Sequence, residues 1–210
     1  MKSLIFLLLT LLLLGACGER LSGRVSPEKL EALDALRRSD PASAVIKLKQ
    51  QLEVTPRDDG VWTLLGHAYE DVDQDEEAEA AYRKALEINP RRVDAITGMG
   101  ILSRKNGKYD EAMAHYEKAL SLDPSYAHAH SSMTLIAIKQ GNDEKALEYA
   151  KKGYDLDKTD PVIVANLAVA YHYNRMFELR DKMTGEAKKL GYNKTEALQK
   201  IYTGEMTLRD

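Results

Sequence analysis

The sequence predicts an all-α solenoid of stacked helical hairpins, and three observations carry that prediction. The series Trp62, Leu65, Gly66, Tyr69, Ala78, Tyr82, Ala85 and Pro90 returns 34 residues later as Ile96, Met99, Gly100, Ser103, Ala112, Tyr116, Ala119 and Pro124. Residues 61–72 and 76–88 each place apolar side chains three and four apart, the spacing of an amphipathic helix. Pro90 and Pro124 end the second helix of each pair, because proline removes a backbone donor and clashes with the turn before it. One hairpin cannot bury its apolar stripe alone, so neighbours must stack on it.

The interval and its residues point to a family. Trp62-Thr63-Leu64-Leu65-Gly66-His67-Ala68-Tyr69, followed by alanine, an aromatic residue and proline in a 34-residue unit, resembles the tetratricopeptide repeat (TPR). The resemblance implies a right-handed superhelix of helix-turn-helix units. Within the strong repeat, Asp73-Gln74-Asp75 is a polar turn, and Gly66 is expected to face Ala78 and Ala85 so that the two helix axes approach closely.

Taken from its start, the chain opens with Met1-Lys2-Ser3 and an apolar run over residues 4–14, then Leu14-Gly15-Ala16-Cys17. A charged start, an apolar run and small residues before a cut have the layout of a secretory signal peptide, read here as residues 1–16. The run is ~11 residues, against ~20 for a membrane span. Leu-Gly-Ala-Cys resembles the bacterial lipobox, which implies diacylglyceryl and acyl chains on Cys17, the only cysteine; the alternative is an ordinary signal peptide with a chance cysteine. Two chains suffice for stable anchoring, at ~0.8 kcal/mol per buried methylene. The lipid on Cys17 is the one non-protein group expected, and Gly18 rather than aspartate after it resembles outer-membrane sorting, facing the periplasm. Residues 18–25 form a polar linker that reaches ~25–29 Å when extended.

Residues 26–58 read as a degenerate first repeat, with Ser26-Pro27 and Asp40-Pro41 opening its helices. Full repeats follow over 59–92, 93–126 and 127–160. The last of these keeps Met133, Ala146 and Ala150 but has His130 in the Trp62 place, where it reads as a packing residue. A further degenerate repeat spans 161–194; Arg180 there replaces alanine and loosening of the packing is expected. Residues 195–202 form a short amphipathic helix that reads as a lid, with a tail to 210.

Composition excludes several functions. At 210 residues with 44% hydrophobic and 30% charged residues the chain can bury a substantial core, and its net charge is -3 with both signs interspersed. No basic face with interleaved aromatics supports nucleic-acid binding. Asp71-Val72-Asp73-Gln74-Asp75 has the alternating carboxylates of a calcium loop, but Glu76 and Tyr82 stand where that loop needs glycine and glutamate. His128 and His130 lie two apart, which on a helix points them ~200° from each other and prevents shared metal binding. Gly98-x-Gly100 lies inside a helix with no strand before it, so it is no phosphate loop. Neither a catalytic constellation nor a small-molecule substrate is indicated.

Function is therefore expected on the concave face that the resemblance assigns to the first helix of each repeat. It carries over to Thr63, His67, Glu70 and Asp71; to Asp94, Thr97, Ile101, Arg104 and Lys105; to His128, Ser131, Leu135, Ile138 and Lys139; and to Val162, Ala165, Val169, His172 and Tyr173. The asparagines with which chaperone-binding relatives hold a terminal carboxylate are replaced by His67, Ile101, Leu135 and Val169, so that clamp is absent. Leu135, Ile138, Val162 and Val169 would expose an apolar stripe, to be covered by the 195–202 helix or by a partner segment. The chain thus reads as a non-catalytic scaffold for a protein or peptide partner, held on a membrane in the bacterial envelope. Such chains resemble those that support pilus or secretion assembly or dock peptidoglycan enzymes; the alternative is a self-associating structural subunit.

Overall fold

The computed structural model describes residues 40–209; the signal peptide, Cys17, the linker, the first helix of the 26–58 repeat and Asp210 lie outside them. Ten helices and no strand occur among the described residues: α1 Pro41–Val54, α2 Asp59–Asp71, α3 Asp75–Ile88, α4 Val93–Lys105, α5 Tyr109–Leu122, α6 Ala127–Lys139, α7 Asp143–Leu156, α8 Pro161–Tyr173, α9 Phe177–Lys189 and α10 Thr195–Thr203. The pairs α2–α3, α4–α5, α6–α7 and α8–α9 pack as hairpins, and each stacks on the next. No helix among the described residues is long and apolar enough to cross a membrane.

Local chemistry sets the helix ends. Asp40, Asp58, Asn142 and Asp160 cap the starts of α1, α2, α7 and α8 by accepting from backbone N–H groups, and proline opens α1 and α8. The turn inside each hairpin is built the same way four times. Gln74, Lys108, Asn142 and Met176 each donate a backbone N–H to Tyr69, Ser103, Ala137 and Tyr171, all at 2.9 Å. The residue before each donor lies in the left-handed region: Asp73, Gly107, Gly141 and Arg175 have φ of 56°, 74°, 74° and 59°. Glycine enters that region without the Cβ penalty, so Asp73 and Arg175 carry strain that Gly107 and Gly141 avoid.

Three apolar clusters run through the stack, the first from α1 to α4, the second around α4–α6 and the third from α6 to α10. Ala78, Tyr82, Ala85, Ala112, Tyr116 and Ala119, the repeated small and aromatic residues, are fully buried. The nearest neighbour of Gly66 is the ring of Tyr82. A Cβ there would stand 2.6 Å from Cδ1 of Tyr82, and one on Gly98 would stand 2.6 Å from Cε1 of the same ring. The Tyr82 ring is thus wedged between a glycine of its own hairpin and one of the next.

The last helix covers the last repeat as expected, and it does so in the register of the repeats. α10 starts 34 residues after α8, and its buried Leu198 and Ile201 occupy the places of Trp62 and Leu65. It continues the stack as a further first helix. Arg180, expected to loosen the packing, stacks on Phe177 at 5.0 Å and on Tyr202 at 4.8 Å. Tyr202 shares a 2.8 Å hydrogen bond with Thr184.

Candidate functional site

The first helices α2, α4, α6 and α8 line a hollow of about 430 Å³. It brings together Thr63, His67, Asp94, Thr97, Ile101, His128, Ser131 and Val162 of the expected face. It also includes Arg92, Tyr126, Ser132 and Asn166, which the sequence reading did not select. Arg92 and Tyr126 stand immediately before α4 and α6, one repeat apart, and Asn166 lies one repeat after Ser132. A scan of the residue before each first helix, and of the Leu64–Gly98–Ser132–Asn166 series, would have found them.

Hydrogen bonds and ion pairs hold these side chains in place. Tyr126 donates its hydroxyl to Asp94 at 2.8 Å, and Arg92 reaches Asp94 at 3.3 Å and Asp59 at 3.6 Å. Asn166 donates to the Ser131 hydroxyl at 2.8 Å, and His128 lies 3.7 Å from Asp160. Deeper in, Tyr82 donates to Glu70 at 2.9 Å and meets His67 Nδ1 at 2.7 Å. With the phenol proton directed at Glu70, Nδ1 of His67 must carry a proton to bond the phenol oxygen. Burial lowers the His67 pKa, raises that of Glu70, and pushes Tyr82 and Tyr126 above the ordinary phenol range, the neighbouring carboxylates Glu70 and Asp94 adding to it. The trio locks α2 to α3. Among the described residues, no group of three His, Cys, Asp or Glu side chains is placed to hold a metal ion.

Several expected face residues are not exposed. Thr63, Thr97, Ser131 and Ala165 form one series at the repeat interval, and all four are buried, because the neighbouring first helix approaches closely enough to cover that position. Ile138 (0% exposed) and Val169 (2% exposed) belong to the apolar cluster that α10 and the segment after it complete. A charge at Val169 would therefore unfold the chain rather than probe a surface. His67, Glu70, Asp94, Ile101, Arg104, Leu135, Lys139, His172 and Tyr173 are partly exposed, and Asp71, Lys105, His128 and Val162 are exposed. His130 is buried in the Trp62 place, with neither ring nitrogen partnered by a protein atom.

A second hollow, about 240 Å³, joins Arg104, Lys105, Leu135 and Lys139 to Tyr109 and to Thr207 and Leu208 of the C-terminal segment. A third, about 600 Å³, lies between α1 and α3 over α2, floored by Leu52, Trp62, Leu65 and Tyr69 and rimmed by Lys49, Glu53, Glu77 and Lys84.

The repeat geometry defines a solenoid of helical hairpins, and the comparisons agree with it. Tetratricopeptide repeat models match residues 61–92 and 81–114, and a TPR repeat model matches 100–137. The chain carries tetratricopeptide repeats over this stretch, and its fold is a TPR solenoid. No curated protein matches the sequence. Among solved structures, a thermophilic TPR protein of Thermus thermophilus aligns with 84% of this chain and 96% of its own at TM-score 0.71 and 16% identity. A chain of the APC/C hetero-tetramer Cut9-Hcn1 aligns with 80% of this chain and 32% of its own at TM-score 0.65 and 18% identity. PilW, a type IV pilus biogenesis factor, aligns with 78% of this chain and 76% of its own at TM-score 0.61 and 22% identity. These are likenesses of fold.

Proposed function

We propose that the chain is a non-catalytic scaffold, anchored by lipid on Cys17 to the bacterial outer membrane and facing the periplasm, that binds a protein or peptide partner in its concave hollow. The observation that carries the reading is the preformed hollow lined by His67, Ile101, His128, Val162 and Asn166 from four successive first helices, with Tyr126 from the residue before α6. Its mixture of apolar wall, hydroxyl and amide groups suits an extended segment whose main chain needs hydrogen-bond partners and whose side chains need pockets. The Leu-Gly-Ala-Cys motif supports the anchor, and the likeness to a pilus biogenesis factor supports an assembly role, with docking of peptidoglycan enzymes as the other form of it.

Site-specific photocrosslinking in intact membranes tests the reading. A probe at Ile101 should capture a discrete partner and a probe at the exposed Ile46 should not; equal labelling from both positions would refute the groove. Cys17→Ser should abolish palmitate labelling and shift the chain to the soluble fraction, and retention on the membrane would refute the anchor.

The apolar hollow around Trp62 favours a second reading, in which the chain self-associates without a peptide ligand. A concentration-dependent mass in ultracentrifugation, lost in Ala80→Glu, would select it.

A further inference from the structure

The six described residues after α10, 204–209, stay against the molecule. From Gly204 they return to the carboxyl end of α8 and border a hollow that the ends of α6 and α4 also line. Three kinds of contact hold them. The Leu208 backbone N–H donates to the Tyr173 hydroxyl at 2.9 Å. The Leu208 side chain packs against the C-terminal apolar cluster and enters the hollow shared by Tyr109, Leu135 and Lys139. The Arg209 guanidinium bonds both carboxylate oxygens of Asp143 and lies 4.8 Å above the Tyr173 ring.

A main-chain hydrogen bond, an apolar pocket and a charged clamp are the elements by which a groove reads an extended peptide. The segment has no helical or strand hydrogen bonding of its own over 205–209, apart from the Met206 N–H donating to Lys200 at 2.9 Å. Nor does Leu208 fill its pocket, since about 240 Å³ remains open beside it, bordered by Arg104, Lys105 and Lys139. The Arg209 side chain is 42% exposed, so water competes for its bond to Asp143.

We propose that Thr207-Leu208-Arg209 occupies in cis the site where a partner's segment binds in trans, and that this half of the groove recognises an extended stretch with an apolar residue followed by arginine. The proposal rests on the groove being a recognition surface. The tether gives the segment an effective concentration on the order of millimolar, so a weak strap still excludes weak ligands. A partner must match the same three contacts and fill the remaining space to displace it.

The test uses the full chain and a fluorescein-labelled peptide with the sequence of residues 203–209, read by anisotropy. Leu208→Asp/Arg209→Ala releases the strap, and Arg209→Glu does so through charge repulsion at Asp143 while leaving the apolar contact in place. Both variants should bind the peptide at least tenfold more tightly than the unchanged chain, and adding Asp143→Ala should weaken that binding at least fivefold. Equal binding to the variants and the unchanged chain, or none to either variant, would overturn the proposal. Crosslinking from Ile101 reads the groove independently: its failure with the peptide result intact removes the scaffold reading, and the converse removes only the strap.

Discussion

A methyl group added at two glycines should act with opposite sign. Gly98→Ala places its Cβ 2.6 Å from Tyr82 Cε1, where ordinary contact begins near 3.4 Å, and the ring cannot retreat because Gly66 closes the other side. Overpacking of a rigid site costs about 1–3 kcal/mol. A ring forced aside would also strain its bonds to His67 and Glu70, each worth about 1 kcal/mol. A loss of about 3 kcal/mol is expected. Gly185→Ala, in α9, meets nothing within 4 Å and removes only backbone freedom, so it should stabilise by about 0.5–1 kcal/mol. Urea unfolding followed by circular dichroism should separate the two variants by about 3–4 kcal/mol. In a double-mutant cycle, Tyr82→Leu should relieve Gly98→Ala by at least ~1 kcal/mol. A cost below about 1 kcal/mol for Gly98→Ala, or additivity with Tyr82→Leu, would refute the wedge.

Arg175→Gly relieves a left-handed residue at φ 59° and should gain about 0.5–1 kcal/mol in the same assay, whereas Gly141→Ala should lose about 1 kcal/mol. His130→Ile, which installs the Ile96 residue of the preceding repeat, removes two unpartnered buried nitrogens and should gain about 1–3 kcal/mol at pH 7. Burial and the Lys152 charge lower the His130 pKa, so the unfolded chain binds more protons below the ordinary histidine value of 6.5, and stability falls as pH drops through it; His130→Ile should shrink that fall in a melting series from pH 7.5 to 5. Leu135→Glu, at a partly exposed position, should weaken partner crosslinking from Ile101 while changing the melting temperature by only a few degrees, and Val169→Glu should unfold the chain.

The fold was legible because its information is periodic. A 34-residue interval survives divergence at single positions, so His130 and Arg180 do not break the phase. The Asp73-Gln74-Asp75 turn was legible as polar but not as left-handed, since Asp73, like Arg175 in the fourth turn of the same kind, occupies a conformation that its residue type disfavours. Gly98 was read only as a failed phosphate loop, because its reason is a ring 16 residues upstream on another helix. The face was half legible. Helical spacing selects a side of α2, α4, α6 and α8, but the approach of neighbouring first helices buries the Thr63, Thr97, Ser131 and Ala165 positions within it. Arg92 and Tyr126 enter from outside the helices, where helical spacing has no say.

The ring of Tyr82 belongs to one hairpin and is gripped by two, which has a consequence for how the solenoid opens. Residues 59–105 should fray as a single block, giving their amides a common exchange free energy. The 127–160 hairpin has Ala150 in the tyrosine place, too short to span such a joint, and its junction with the 161–194 hairpin is made instead by a shared apolar cluster that includes Ile138, Ala150, Val164 and Leu167, with Asn166–Ser131 and the 2.8 Å bond from Asn174 to the Asp143 carbonyl beside it.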